Sequence, residues 1–149
     1  MNVGLSTVLG IALLWSGLAI SGERETDRRT QYLRCAAISY VLATSHPDAT
    51  KREMFRNAPD LHAKWASRFY KDNPEEFRTD AMEAQMAVDA EMQDKQFLEE
   101  RLKPEVAVCM SLMRHTLDFF IDCALHHKLT DEDWQRCADM AVGLESGAP

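Results

Sequence analysis

EVAVCMSLMRHTLDFFIDCALHHKLTDEDWQRCADM, residues 105–140, carries three of the four cysteines, Cys109, Cys123 and Cys137, at equal spacing. On a helical period, Val106, Cys109, Met110, Leu112, Met113, Leu117, Phe120, Ile121, Cys123 and Ala124 form one wide apolar arc. Ser111, Arg114, His115, Asp118, Asp122 and His126 fall opposite. The pattern predicts a central helix with one solvated edge. Cys109 and Cys123 share a face but lie about 21 Å apart along the axis, too far to bridge. Thr130, followed by Asp131, Glu132 and Asp133, opens another helix in the manner of a capping box. An antiparallel return after a turn near Lys128 and Leu129 brings Cys123 opposite Cys137. Cys109 lies about three turns too far down that helix to reach Cys137, which leaves Cys35. The spacing therefore predicts disulfides 35–109 and 123–137 among the three connectivities that four cysteines allow. The competing reading is four reduced cysteines packed as small hydrophobes. A C-x2-C spacing is absent, which argues against zinc held by these thiols, and without C-x-x-C-H there is no covalent haem.

Disulfides require an oxidising compartment, and the N-terminus agrees. Residues 1–22 contain no charged side chain. As a signal peptide, Val8 to Ala19 is the apolar core and Ala19-Ile20-Ser21 the small-x-small cleavage site, although no Lys or Arg precedes the core. As an uncleaved anchor, the apolar stretch sits at the lower limit for spanning a bilayer. The mixed charges from Glu23 to Arg29 cast no vote on topology. The expected division is residues 1–21 as signal peptide or anchor and 22–149 as an extracytoplasmic helical domain. The expected location is periplasmic or secreted, with anchorage to the inner membrane facing the periplasm as the alternative.

The remaining segments read as helices. Glu23 to Ser45 repeats Tyr32, Cys35, Ala36, Ser39, Tyr40 and Ala43 at helical spacing and ends at His46-Pro47. Thr50 with Glu53 reads as a capping box for a short helix. Pro59 suits the first turn of the next, where Leu61, Trp65 and Phe69 make an aromatic stripe expected in the core. Beside that stripe, His62 reads as a packed or solvated histidine rather than a catalytic one. Asn73-Pro74-Glu75-Glu76 supplies a cap, a first-turn proline and two acids favoured by the helix dipole. That helix runs to Leu102 with Phe77, Ala81, Ala84, Val88, Phe97, Leu98 and Leu102 inward, until Pro104 breaks or kinks it. No stretch alternates as a strand would. With 149 residues, 46% hydrophobic and 28% charged, and only six Gly and five Pro, the fold class is all-α: a disulfide-stapled bundle of five to six helices.

Three groups of residues are candidates for function. His115, Asp118, Asp122 and His126 share one arc of the central helix and are the candidate metal ligands, weighed against an ordinary solvated edge. Met82, Met86, Met92, Met110 and Met113 are more simply core fillers than a soft-metal site. Glu83, Asp89, Glu91 and Asp94 lead the acidic face of the helix after Asn73, which reads as a docking surface for a basic protein or as a solvated charge run. A formal charge of −7 disfavours nucleic acid. No nucleophile motif or Gly-rich phosphate loop is present. The expectation is a non-enzymatic exported binding or accessory protein without cofactor, inhibitor-like or immunity-like toward a basic protein partner. The alternatives are a metal-binding protein using His115, Asp122 and His126, and an anchored accessory subunit of an envelope complex. Membrane contact is expected only through residues 1–21.

Overall fold

In the computed structural model, residues 9–126 and 130–144 are described, with side chains from Asp27 onward. The first helix, α1, spans Leu9–Ser45 without a break. It starts before the expected Glu23, and the division expected at residues 21 and 22 falls inside it. Residues 1–8 of the signal or anchor segment, and its side chains throughout, lie outside the described set, as do the expected turn at Lys128 and Leu129 and residues 145–149.

The other helices are α2 (Ala49–Phe55), α3 (Ala58–Ala66, continued by a 3-10 turn, Ser67–Tyr70), α4 (Pro74–Glu91), α5 (Leu102–His126, entered through a π-helical turn, Phe97–Arg101) and α6 (Asp131–Val142). Among the described residues no strand occurs, so the chain is all-α. The central element is α1 rather than the expected α5. Tyr32, Leu33, Cys35, Ala37, Ile38, Ser39 and Leu42 are all buried. They point to nearly every side of the helix, as in a helix surrounded by protein. Small residues among them let α2, α3, α4 and α5 pack closely around it. By contrast, α5 fully buries only Cys109 and Thr116. Met110 and Ile121, assigned to its apolar arc, are 43% and 52% exposed.

Two clusters make the core. One joins Tyr32 and Leu33 to Trp65, Tyr70 and Val142, with Phe69, Phe77 and Phe120 packed against them. Here Trp65 meets Phe120 edge-on at 5.5 Å and Tyr70 meets Phe77 at 5.4 Å. The aromatic stripe is core, as its spacing predicts. The other cluster gathers Ala37, Ile38, Leu42 and Val88 around the Cys35–Cys109 disulfide. Both predicted bridges are present, with Cα atoms 5.3 Å apart in 35–109 and 5.7 Å apart in 123–137.

Helix ends follow their local chemistry, with three departures from expectation. Asn73 caps α4 by accepting from the Glu76 amide, and Thr130 forms a capping box with Asp133. The cap of α2 is Asp48 rather than Thr50. Its carboxylate takes the Thr50 amide at 2.8 Å, so the helix is capped two residues earlier than the S/T-x-x-E pattern suggests. The long helix expected to reach Leu102 breaks at Met92 and Gln93, and Asp94 caps its resumption by accepting from the Gln96 amide at 2.8 Å. Pro104 breaks nothing. Its ring crowds the carbonyl four residues back, that of Glu100, which lies in the wider π-helical turn. Leu98, expected inward, is 44% exposed because the same break re-aims its side chain.

At the other end of the chain, Gly143 terminates α6 at a φ of 82°. A side chain there would collide with the Arg28 guanidinium, which donates to the Val142 carbonyl at 3.3 Å. The positive φ is what calls for glycine, since the Arg28 guanidinium is the far end of a flexible side chain and could swing aside.

Candidate functional site

The helix-start chemistry at Asn73 fixes the rotation of α4. Phe77, Ala81, Ala84 and Val88 turn toward α1, and the opposite side faces solvent. On that outward side Met82 and Met86 stand one turn apart, 59% and 58% exposed. Glu75, Glu83 and Asp89 are exposed beside them. The two methionines are not the core fillers that their type suggests. Their i, i+4 spacing in an otherwise polar helix was the available signal, and it was outweighed by the general habit of methionine to fill gaps.

The expected acidic face is narrower than its charge count. Glu83 and Asp89 lie on it, and Asp89 accepts from Gln85 at 2.9 Å. Glu91 does not. It turns inward, where its carboxylate and that of Glu105 sit 2.5 and 2.6 Å from Arg34. Partial burial opposes the Arg34 charge, and the hydrogen bonds to Glu91 and Glu105 more than offset it, raising the guanidinium pKa. Asp94 is also withdrawn from the face, by its capping role. An acid that can reach a half-buried arginine from the core-facing edge does so, because an unpaired charge there is costly.

Beyond Asp89 the surface dips into a cleft of about 530 Å³ between the end of α1 and the break after α4. Tyr40, Leu42, Met92, Leu98 and Leu102 line it, with Asp89 at its edge and no Lys or Arg in its wall.

The candidate metal ligands are not brought together. His126 donates from Nδ1 to the Asp122 carbonyl at 2.7 Å, and the Asp122 carboxylate is 3.7 Å away. His115 instead edges a separate cleft beside Tyr32, Thr116 and Phe119. Among the described residues no three His, Cys, Asp or Glu side chains form a group able to hold a metal ion. The reason is geometric: His115 and His126 lie about 16 Å apart along α5, so only neighbouring pairs meet.

Tertiary packing creates one polar constellation that sequence reading missed. The buried His62 imidazole lies between Ser39, whose hydroxyl is 3.4 Å from Nδ1, and the Cys109 carbonyl, 3.3 Å from Nε2. Nε2–H donates to that carbonyl, leaving Nδ1 to accept from Ser39. Burial pulls the His62 pKa below its ordinary value, against the opposing pull of the Cys109 and Ala58 carbonyls. A serine beside a histidine resembles the start of a catalytic pair. Here Ser39 is 3% and His62 0% exposed, and the trio braces α1, α3 and α5 around the first disulfide.

The two disulfides fit an oxidising, extracellular-type compartment. Among the described residues no helix is long and apolar enough to cross a membrane. In comparison with known proteins, no family model matches the chain, and no curated protein or solved structure is significantly similar to it.

Proposed function

We propose that the chain is a non-enzymatic binding or accessory protein, periplasmic or secreted, that docks a basic protein on the outward face of α4. The observation that supports this reading is the exposed pair Met82 and Met86 set beside Glu83 and Asp89. Flexible, polarizable thioethers suit an apolar contact that must adapt to a partner. The adjacent carboxylates, with a chain charge of −7, attract a cationic one and speed its approach. The rigid, doubly stapled frame beneath limits the ordering that binding costs.

The test is titration of the purified full chain with a labelled helical peptide of lysines and leucines, the leucines on one face. Binding weakened at least tenfold by Met82→Ser with Met86→Ser, and by raised salt, is the expected result. Binding indifferent to both sinks the reading. So does hydrolytic turnover by the pure protein that a single substitution abolishes.

A second reading, an accessory subunit held at a membrane through residues 1–21, draws support from the continuity of α1 from Leu9 into the core. Such a helix would transmit the position of an anchor directly to the domain. An intact mass of protein from its native source decides it: a mass lacking the first twenty-one residues ends this reading, and a full-length mass from the membrane fraction sustains it.

A further inference from the structure

We infer that the cleft beyond Asp89 receives one large apolar side chain of the same basic partner, presented from an amphipathic helix lying along α4. The inference rests on the docking reading above and adds an anchor point to it. Three observations carry it. The cleft continues from the methionine face, since Asp89 lies one turn beyond Met86 and also edges the cleft wall, with Met92 and Gln93 following. Its wall is largely apolar, and Tyr40 and Leu98 remain 53% and 44% exposed, so they have most to gain from being covered. Its charge is one-sided. Asp89 lines it with no Lys or Arg in the wall to answer it, and His46, also in the wall, accepts the Asp48 amide on Nδ1, which matches lysine or arginine flanking an apolar anchor. A helix fits because anchors at i and i+4 would cover Met86 and the cleft in turn.

At about 530 Å³ the cleft is also within the size range of small-molecule sites, so the experiment separates the two occupants. The full chain is titrated with the lysine–leucine helical peptide ending in one phenylalanine, with the same peptide carrying serine in place of that phenylalanine, and with the uncharged apolar fluorophore N-phenylnaphthylamine. Leu98→Ser and Tyr40→Ser, both at exposed positions and checked for helicity by circular dichroism, should each weaken the phenylalanine peptide at least tenfold. They should leave the serine peptide unchanged. Glu83→Gln with Asp89→Asn should flatten the salt dependence for both peptides.

If the Met82 and Met86 variants weaken binding while Leu98→Ser and Tyr40→Ser do not, the anchor inference falls and the docking reading stands. If no variant matters, both fall. Fluorophore binding that depends on Leu98 and that the phenylalanine peptide cannot displace marks a small-molecule site and overturns the inference. Displacement by the phenylalanine peptide, and not by the serine peptide, supports it.

Discussion

Asp139 accepts two hydrogen bonds from Arg68, at 2.7 and 2.9 Å, across seventy-one residues of chain. Lys71 holds its other oxygen. The carboxylate is only 7% exposed and ties α6 to the 3-10 turn after α3. Removing Arg68 leaves a nearly buried carboxylate with Lys71 alone, whereas removing the charge of Asp139 leaves two cations that still reach water. Arg68→Ala should therefore cost about 2–3 kcal/mol and Asp139→Asn about 1–2 kcal/mol. Urea unfolding midpoints of the two variants check the order, and an equal cost would refute it.

The two disulfides should differ in both thermodynamic weight and access. Cys35–Cys109 closes a separation of 74 residues and Cys123–Cys137 one of 14. By loop-closure entropy, loss of the first costs about 4.5 kcal/mol and loss of the second about 3 kcal/mol. Guanidinium unfolding of the paired Cys→Ser variants tests this. Cys35, Cys109 and Cys137 are buried, and Cys123 alone is partly exposed. Limited reduction followed by thiol labelling should mark Cys123 and Cys137 first.

His62 should make stability fall in mild acid. Its folded pKa lies below the ordinary 6.5, so the unfolded chain takes up the proton more readily. The contribution is complete above about pH 6.5 and declines as pH falls through the folded value, below which it is flat. His62→Gln should remove this part of the slope, seen as a smaller change in melting temperature between pH 7.5 and pH 5. An unchanged slope would mean that other groups set it.

Tyr32 and Thr116 meet at 2.5 Å in the core. Thr116 spends its own hydrogen on the Leu112 carbonyl, at 2.8 Å, so Tyr32 is the donor between them. Tyr32→Phe keeps the packing and leaves the Thr116 oxygen without that donor, at a cost of about 1 kcal/mol. Thermal unfolding would show whether Thr116→Val added to Tyr32→Phe recovers part of the loss, as expected when both polar partners are replaced together.

The chain's own pattern determined the all-α class, both disulfide pairings, the caps at Asn73 and Thr130 and the core stripe through Trp65. Each depends on residues close in sequence, or on the simple geometry of two cysteines equidistant from a turn, which leaves the remaining pair to bridge by elimination. Tertiary structure decided what depends on a second surface. It made α1 the hub, because a helix apolar on nearly every side is recognised only by what surrounds it. Arg34 drew Glu91 out of the acidic face, Arg68 found the buried Asp139, and His62 came to rest on a carbonyl forty-seven residues away. Periodicity names the side of a helix that leaves water, but which partner receives each charge depends on distances between helices that no single helix contains.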